Sequence, residues 1–143
     1  MKRLLSLLTV LFGLAVLAPK AEAQQATHTV VRMWKCSPMG AGIRWLQDAR
    51  PIADEMVAEG KFVGYGVLAH AWGDEWNVVD YFNVDGLDGY FANFAEFNQR
   101  VGQARRAANE GNDGPPQVAV DFREACTDHK DVIYAVVPPP SND

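Results

Sequence analysis

Apolar positions along the chain change their period several times, and each change marks an element. Residues 28–35 (HTVVRMWK) are β-branched and aromatic, the composition of a first strand. Residues 36–42 hold one proline and two glycines and predict a loop. Ile43, Leu46, Ala49, Ala53, Met56 and Val57 then recur at three- and four-residue steps, which predicts a helix over 43–59 with one apolar stripe. Pro51 predicts a kink or a fresh start inside it, and Gly60 a stop. Residues 62–72 and 76–83 read as two strands around Gly73, Asp74 and Glu75, the pattern of a hairpin. Gly64 and Gly66 mark a bulge or the close approach of another backbone.

Asp85 is placed to cap a second helix, with Asp88 favoured by the dipole of its first turn. Leu87, Tyr90, Phe91, Phe94, Phe97 and Val101 lie on one face of that helix, which runs on through Arg105 and Arg106. An aromatic stripe at this spacing predicts core. Residues 109–116 are a loop by composition. Residues 117–130 show no clear period, with a short extended piece expected over 118–122. Residues 131–137 (DVIYAVV) form the last strand, stopped by Pro138, Pro139 and Pro140.

Strand, helix, strand, strand, helix, strand predicts an α+β domain of ferredoxin-like βαββαβ topology: a four-stranded antiparallel sheet with two helices on one face. The first and last strands are then antiparallel neighbours, which brings Cys36 beside Cys126. The two cysteines are 90 positions apart and form no C-x-x-C motif, so a structural disulfide is expected rather than a redox or metal pair. The strands are apolar on both alternating sets. Val30, Trp34, Leu68, Trp72, Val79 and Tyr81 are expected on one side, and Val31, Met33, Val67, Trp76, Val78 and Phe82 on the other. Helices cover one face only, and an identical subunit covering the second is the expected solution.

The amino terminus narrows the setting. Lys2 and Arg3, an apolar run from Leu4 to Leu17, and Ala21-Glu22-Ala23 ahead of Gln24 form a cleavable secretory signal over 1–23. The run is too short for a spanning helix, which needs about 20 apolar residues. A single domain over 24–143, with its core at 28–137, is thus expected in a secreted or periplasmic setting. Losing Lys2, Arg3, Lys20 and Glu22 moves the formal charge from −5 to −7. Such an acidic domain without a basic stripe is a poor partner for nucleic acid or anionic lipid.

In the order of its elements, in the step Glu59-Gly60-Lys61-Phe62-Val63 from helix to strand, and in the hairpin leading into Phe91–Phe97, the chain resembles the dimeric α+β barrel superfamily. That group includes antibiotic-biosynthesis monooxygenases, NIPSNAP-type proteins and stress-responsive barrel proteins. The resemblance covers nearly all of 28–137 and is one of pattern rather than of a catalytic signature. It implies a homodimer with a small organic ligand between the paired sheets.

Hairpin register then nominates a site. If Ala71 faces Trp76, His70 faces Asn77 and Leu68 faces Val79. His70, Asn77 and Tyr81 become candidate catalytic residues, and Arg32, Trp34 and Trp72 candidate ligand-binding residues. Each has a plainer role open to it: His70 as a hydrogen-bonded residue at a strand end, Asn77 satisfying backbone groups, Tyr81 as core, Arg32 paired with Asp80 or Glu75 in the dimer. No cofactor is expected. His28, His70 and His129 lack zinc-motif spacing, and Gly40-Ala41-Gly42 lacks the flanking pattern and lysine of a phosphate loop. After cleavage only Ser37 and Ser141 remain as serines, which argues against a serine hydrolase. Three functions follow: a small-molecule-binding homodimer, extending to a cofactor-free monooxygenase-like enzyme; a non-catalytic envelope or stress-related protein of the same fold; or a secreted interaction module recognised through its acidic surface.

Overall fold

The computed structural model describes residues 25–70 and 75–138. The expected signal over 1–23, Trp72, and Gly73 and Asp74 of the hairpin turn lie outside them. Element order is β1 (His28–Cys36), α1 (Met39–Ala58), β2 (Gly64–Ala69), β3 (Val78–Val84), α2 (Leu87–Ala108), α3 (Gln117–Ala125) and β4 (Cys126–Ala135). The strands form one antiparallel sheet in the order β2-β3-β1-β4. This is the ferredoxin-like arrangement, with β1 and β3 central and a third helix added before β4.

α1 starts earlier than its stripe suggests and runs through Pro51 as one element. Its buried side is Ala41, Gly42, Leu46, Ala49, Ala53 and Met56. α2 begins after Gly86 (φ 92°) with no side-chain cap, so Asp85 does not cap it. The Gly86 N–H instead donates to Thr27 Oγ1 at 2.8 Å. Tyr90, Phe97 and Val101 are buried as their spacing predicts, whereas Phe91 is 59 % exposed and lies off the core.

Residues 117–125 are helical, not extended. Val118, Val120 and Phe122 alternate like a strand, but packing decides: Phe122 stacks on Trp45 of α1 at 4.9 Å and meets Trp34 edge-on at 6.1 Å. Arg105 lies over the same Trp45 ring at 3.2 Å, binding α2 to this corner.

The main core sits between the helices and β1, β2 and β3. Phe82 is wholly buried at its centre, with Phe62 and Tyr65 at 4.9 Å, Phe97 at 5.3 Å, Phe94 at 5.7 Å and Tyr90 at 6.0 Å. Burying one such ring contributes about 1.5–3 kcal/mol. A smaller cluster of Trp34, Cys36, Leu46 and Val78 closes the other end. There Cys36 and Cys126 are joined, with Cα atoms 4.0 Å apart. Closing so long a loop stabilises the fold by about 4 kcal/mol in the chain-entropy account.

Candidate functional site

Cross-strand register sorts the sheet residues into two faces, because directly paired residues point the same way. Val30, Arg32 and Trp34 pair with Phe82, Asp80 and Val78, and all six face the helices. Leu68 pairs with Val79, as the hairpin pattern predicts, and Gly66 with Tyr81.

The open face is therefore built in rows across four strands. One row is Leu68, Val79, Met33 and Lys130, and the next is Gly66, Tyr81, Val31 and Val132. At one end of this apolar belt stand Gly64, Asn83, Thr29 and Tyr134, where Thr29 Oγ1 donates to Asn83 Oδ1 at 2.8 Å. At the other end, Lys35 pairs with Asp128, and the His70 N–H donates to the Asn77 carbonyl at 2.9 Å. The Lys35 ammonium reaches Glu75 at 2.9 Å and Asp128 at 3.6 Å and lies 4.7 Å from the Trp76 ring. The hydrogen bond to Glu75 is the largest influence raising its pKa.

This register corrects the expected grouping. Arg32 and Trp34 do not share a face with Tyr81, and Val31 and Met33 exchange sides with Val30 and Trp34. Arg32 forms a bidentate pair with Asp80 inside the subunit, Nε to Oδ1 at 2.9 Å and Nη2 to Oδ2. Its guanidinium also sits 4.9 Å from Phe94, 5.2 Å from Trp34 and 5.3 Å from Phe82. Burial pushes the Asp80 carboxyl upward while Arg32 opposes it. Burial is the largest influence on Arg32 and works to lower its pKa, but the charge and hydrogen bond of Asp80, with Tyr90 and Tyr65, together outweigh it and raise it. Tyr65 and Tyr90 flank the pair, and burial raises both phenols, Tyr90 to about 12. This is a satisfied polar centre within a core, built to hold β1 against β3.

Asn77 also works locally. Its Oδ1 accepts from the Cys36 N–H at 2.9 Å and its Nδ2 donates to the Cys36 carbonyl at 2.7 Å. Of the three candidate catalytic residues, His70 and Tyr81 have side chains that no hydrogen bond or ion pair among the described residues engages. Tyr81 is opposite Gly66, four residues before His70, which is about 13 Å of extended chain. The Tyr81 ring lies over bare backbone: a Cβ at Gly66 would come within 2.4 Å of it. Val31, Met33, Val132 and Tyr134 complete the face. A strand apolar on both sides cannot reveal which of its sets faces out, so their role was not legible.

A hollow of about 360 Å³ lies apart from this face, between α1 and α3, lined by Ser37, Pro38, Arg44, Asp121 and Glu124. Among the described residues no group of three or more His, Cys, Asp or Glu could hold a metal ion, and no described helix is long and apolar enough to cross a membrane.

The sequence matches no protein-family profile and no curated protein. Two solved structures are similar to the chain. One is a dimeric ferredoxin-like protein from an uncultured marine organism, 9 % identical over 85 % of this chain and 96 % of that one, with a TM-score of 0.51. The other is a dimeric protein of unknown function and ferredoxin-like fold from Bacteroides fragilis, 14 % identical over 78 % of this chain and 98 % of that one, with a TM-score of 0.49. The likeness to the marine protein shows the fold: this chain is ferredoxin-like.

Proposed function

We propose that residues 24–143 act, after export and removal of 1–23, as a homodimer whose open sheet faces meet and hold a small, largely apolar molecule between them. The observation that carries this reading is the two-row belt of Val31, Met33, Leu68, Val79, Tyr81 and Val132, bounded by polar residues at both ends. An apolar centre inside a polar rim is the anatomy of a protein interface, and Leu68 and Tyr134 stand 55 % and 53 % exposed on the lone subunit. A second copy supplies the same belt and the same rim. The marine protein of like fold is itself dimeric.

Binding is better supported than turnover. A monooxygenase-like activity of the kind found among the dimeric α+β barrels needs polar groups converging on one substrate atom. Here Arg32 is tied to Asp80, Asn77 to Cys36, and His70 and Tyr81 stand apart. The reading of a packed, ligand-free lumen draws on the Tyr81 ring, which already fills the gap above Gly66.

Native mass spectrometry of residues 24–143 tests this. The expected spectrum shows dimers carrying a small-molecule adduct, weakened by Tyr81→Ala. Dimers with no adduct under any growth condition reject the binding role and leave the packed lumen. Amino-terminal sequencing of the exported full-length chain is expected to begin at Gln24; a retained leader rejects export by cleavage.

A further inference from the structure

β4 is the least embedded strand. It gives no residue to the main core, and only its first residue, Cys126, packs against the smaller cluster. Ile133 and Tyr134 are 43 % and 53 % exposed. Its attachments are the ladder to β1, a hydrogen bond from the Val136 N–H to the Thr27 carbonyl at 2.8 Å, and Phe122 of the adjoining α3 docked on Trp34 and Trp45. The ion pairs Lys35–Asp128 and Arg44–Asp121, at 3.6 and 3.4 Å, have exposed partners and contribute little.

The one covalent tie is Cys36–Cys126, placed where the β1–β4 register shifts between Lys35 and Cys36. β1, β2 and β3 with α1 and α2 enclose the main core without β4 or α3. Three strands packed on helices meet the minimum for independent stability, and the segment 117–138 lies outside the main core that they enclose.

We propose that the Cys36–Cys126 disulfide is a redox latch on the dimer surface. Closed, it holds β4 in place and presents Lys130, Val132 and Tyr134 on the open face; opened, it releases 117–138 and leaves that face incomplete. This rests on the dimer reading above. A dithiol opens the latch: its thiolate attacks the sulfur of Cys126, the less buried residue of the pair, forming a mixed disulfide and freeing the Cys36 thiol. The second thiol of the reagent then displaces Cys126. The reagent ends as a cyclic disulfide, and its two electrons and two protons end on the two cysteine thiols.

A Cβ at Gly42 would lie 2.7 Å from the Cys36 sulfur, 3.2 Å from the Cys126 sulfur and 3.0 Å from Val78, so both sulfurs lie close against α1. Two unbonded sulfurs need more room than a bonded pair, and α1 stands against both.

Hydrogen exchange of residues 24–143, followed by peptide mass with and without a dithiol, tests the latch alongside the dimer dissociation constant. Reduction is expected to speed exchange in α3 and β4 at least tenfold more than in β3 and α2, and to weaken the dimer at least tenfold. Cys36→Ala/Cys126→Ala is expected to reproduce both effects without reductant. Unchanged β4 exchange in a dimer overturns the latch alone, as does a uniform rise across the chain. A monomer in the oxidised state overturns the dimer reading and, with it, the role of the latch in assembly.

Discussion

Arg32 and Asp80 stand directly opposite one another on β1 and β3, and Asp80 is wholly shielded from solvent on the helix-covered side of the sheet. A buried carboxylate is tolerable only while its partner stays. Asp80→Ala strands the guanidinium among Trp34, Phe82 and Phe94 and is expected to cost about 3–5 kcal/mol. Arg32→Met/Asp80→Leu removes both charges and is expected to cost less than either single change. Urea unfolding of Arg32→Met, Asp80→Leu and the double variant checks the order, and a double variant worse than both singles contradicts it.

Gly66 and Tyr81 form the second close relationship. Adding a methyl at Gly66 drives it into the ring, so Gly66→Ala is expected to cost about 1–3 kcal/mol. The same change in a Tyr81→Ala background is expected to cost much less. Additive costs in this double-mutant cycle mean that the ring does not rest on the glycine.

A surface network joins α1 to α2. Arg100 grips Glu59 at 2.7 and 2.9 Å and also reaches Glu96, while Lys61 reaches Glu59 at 2.9 Å and Glu96 at 2.6 Å. Hydrogen bonds from Arg100 first, then Lys61, lower the Glu59 carboxyl from 4.5 to about 2, and Lys61 leads in lowering Glu96. Depressed carboxylates stabilise the fold above their ordinary value, and the contribution is lost as pH falls through the folded value. Arg100→Ala is therefore expected to lower Tm at neutral pH, by an amount that shrinks between 4.5 and about 2 and at high salt. A deficit constant across that range speaks against the network.

Periodicity gave the strand order and the hairpin register, and topology alone brought Cys36 to Cys126. What stayed hidden has physical reasons. Val30 to Trp34 are apolar or amphipathic at every position, so only the pairing of Arg32 with Asp80 decides which set faces the helices. α3 follows Pro115-Pro116 and alternates Val118, Val120 and Phe122; its helix is chosen by the Trp45 stack, a contact distant in sequence. Phe91 shares the spacing of a core stripe, yet Tyr90 and Phe94 already fill the space above Phe82. Hairpin register placed His70, Asn77 and Tyr81, and a backbone-satisfying role for Asn77 was open from the start; that the backbone is that of Cys36 was not legible.

Pairing of the open faces through a two-fold axis is the claim on which the functional reading depends. Sedimentation equilibrium of oxidised residues 24–143, beside Val31→Glu, measures it most directly. Val31 lies mid-row between Tyr81 and Val132 and outside both cores, so the charge strikes the interface and spares the fold. The wild type is expected to sediment as a dimer, and the variant as a folded monomer with an unchanged circular dichroism spectrum. A wild-type monomer, or a variant that dimerises as tightly as the wild type, contradicts the account.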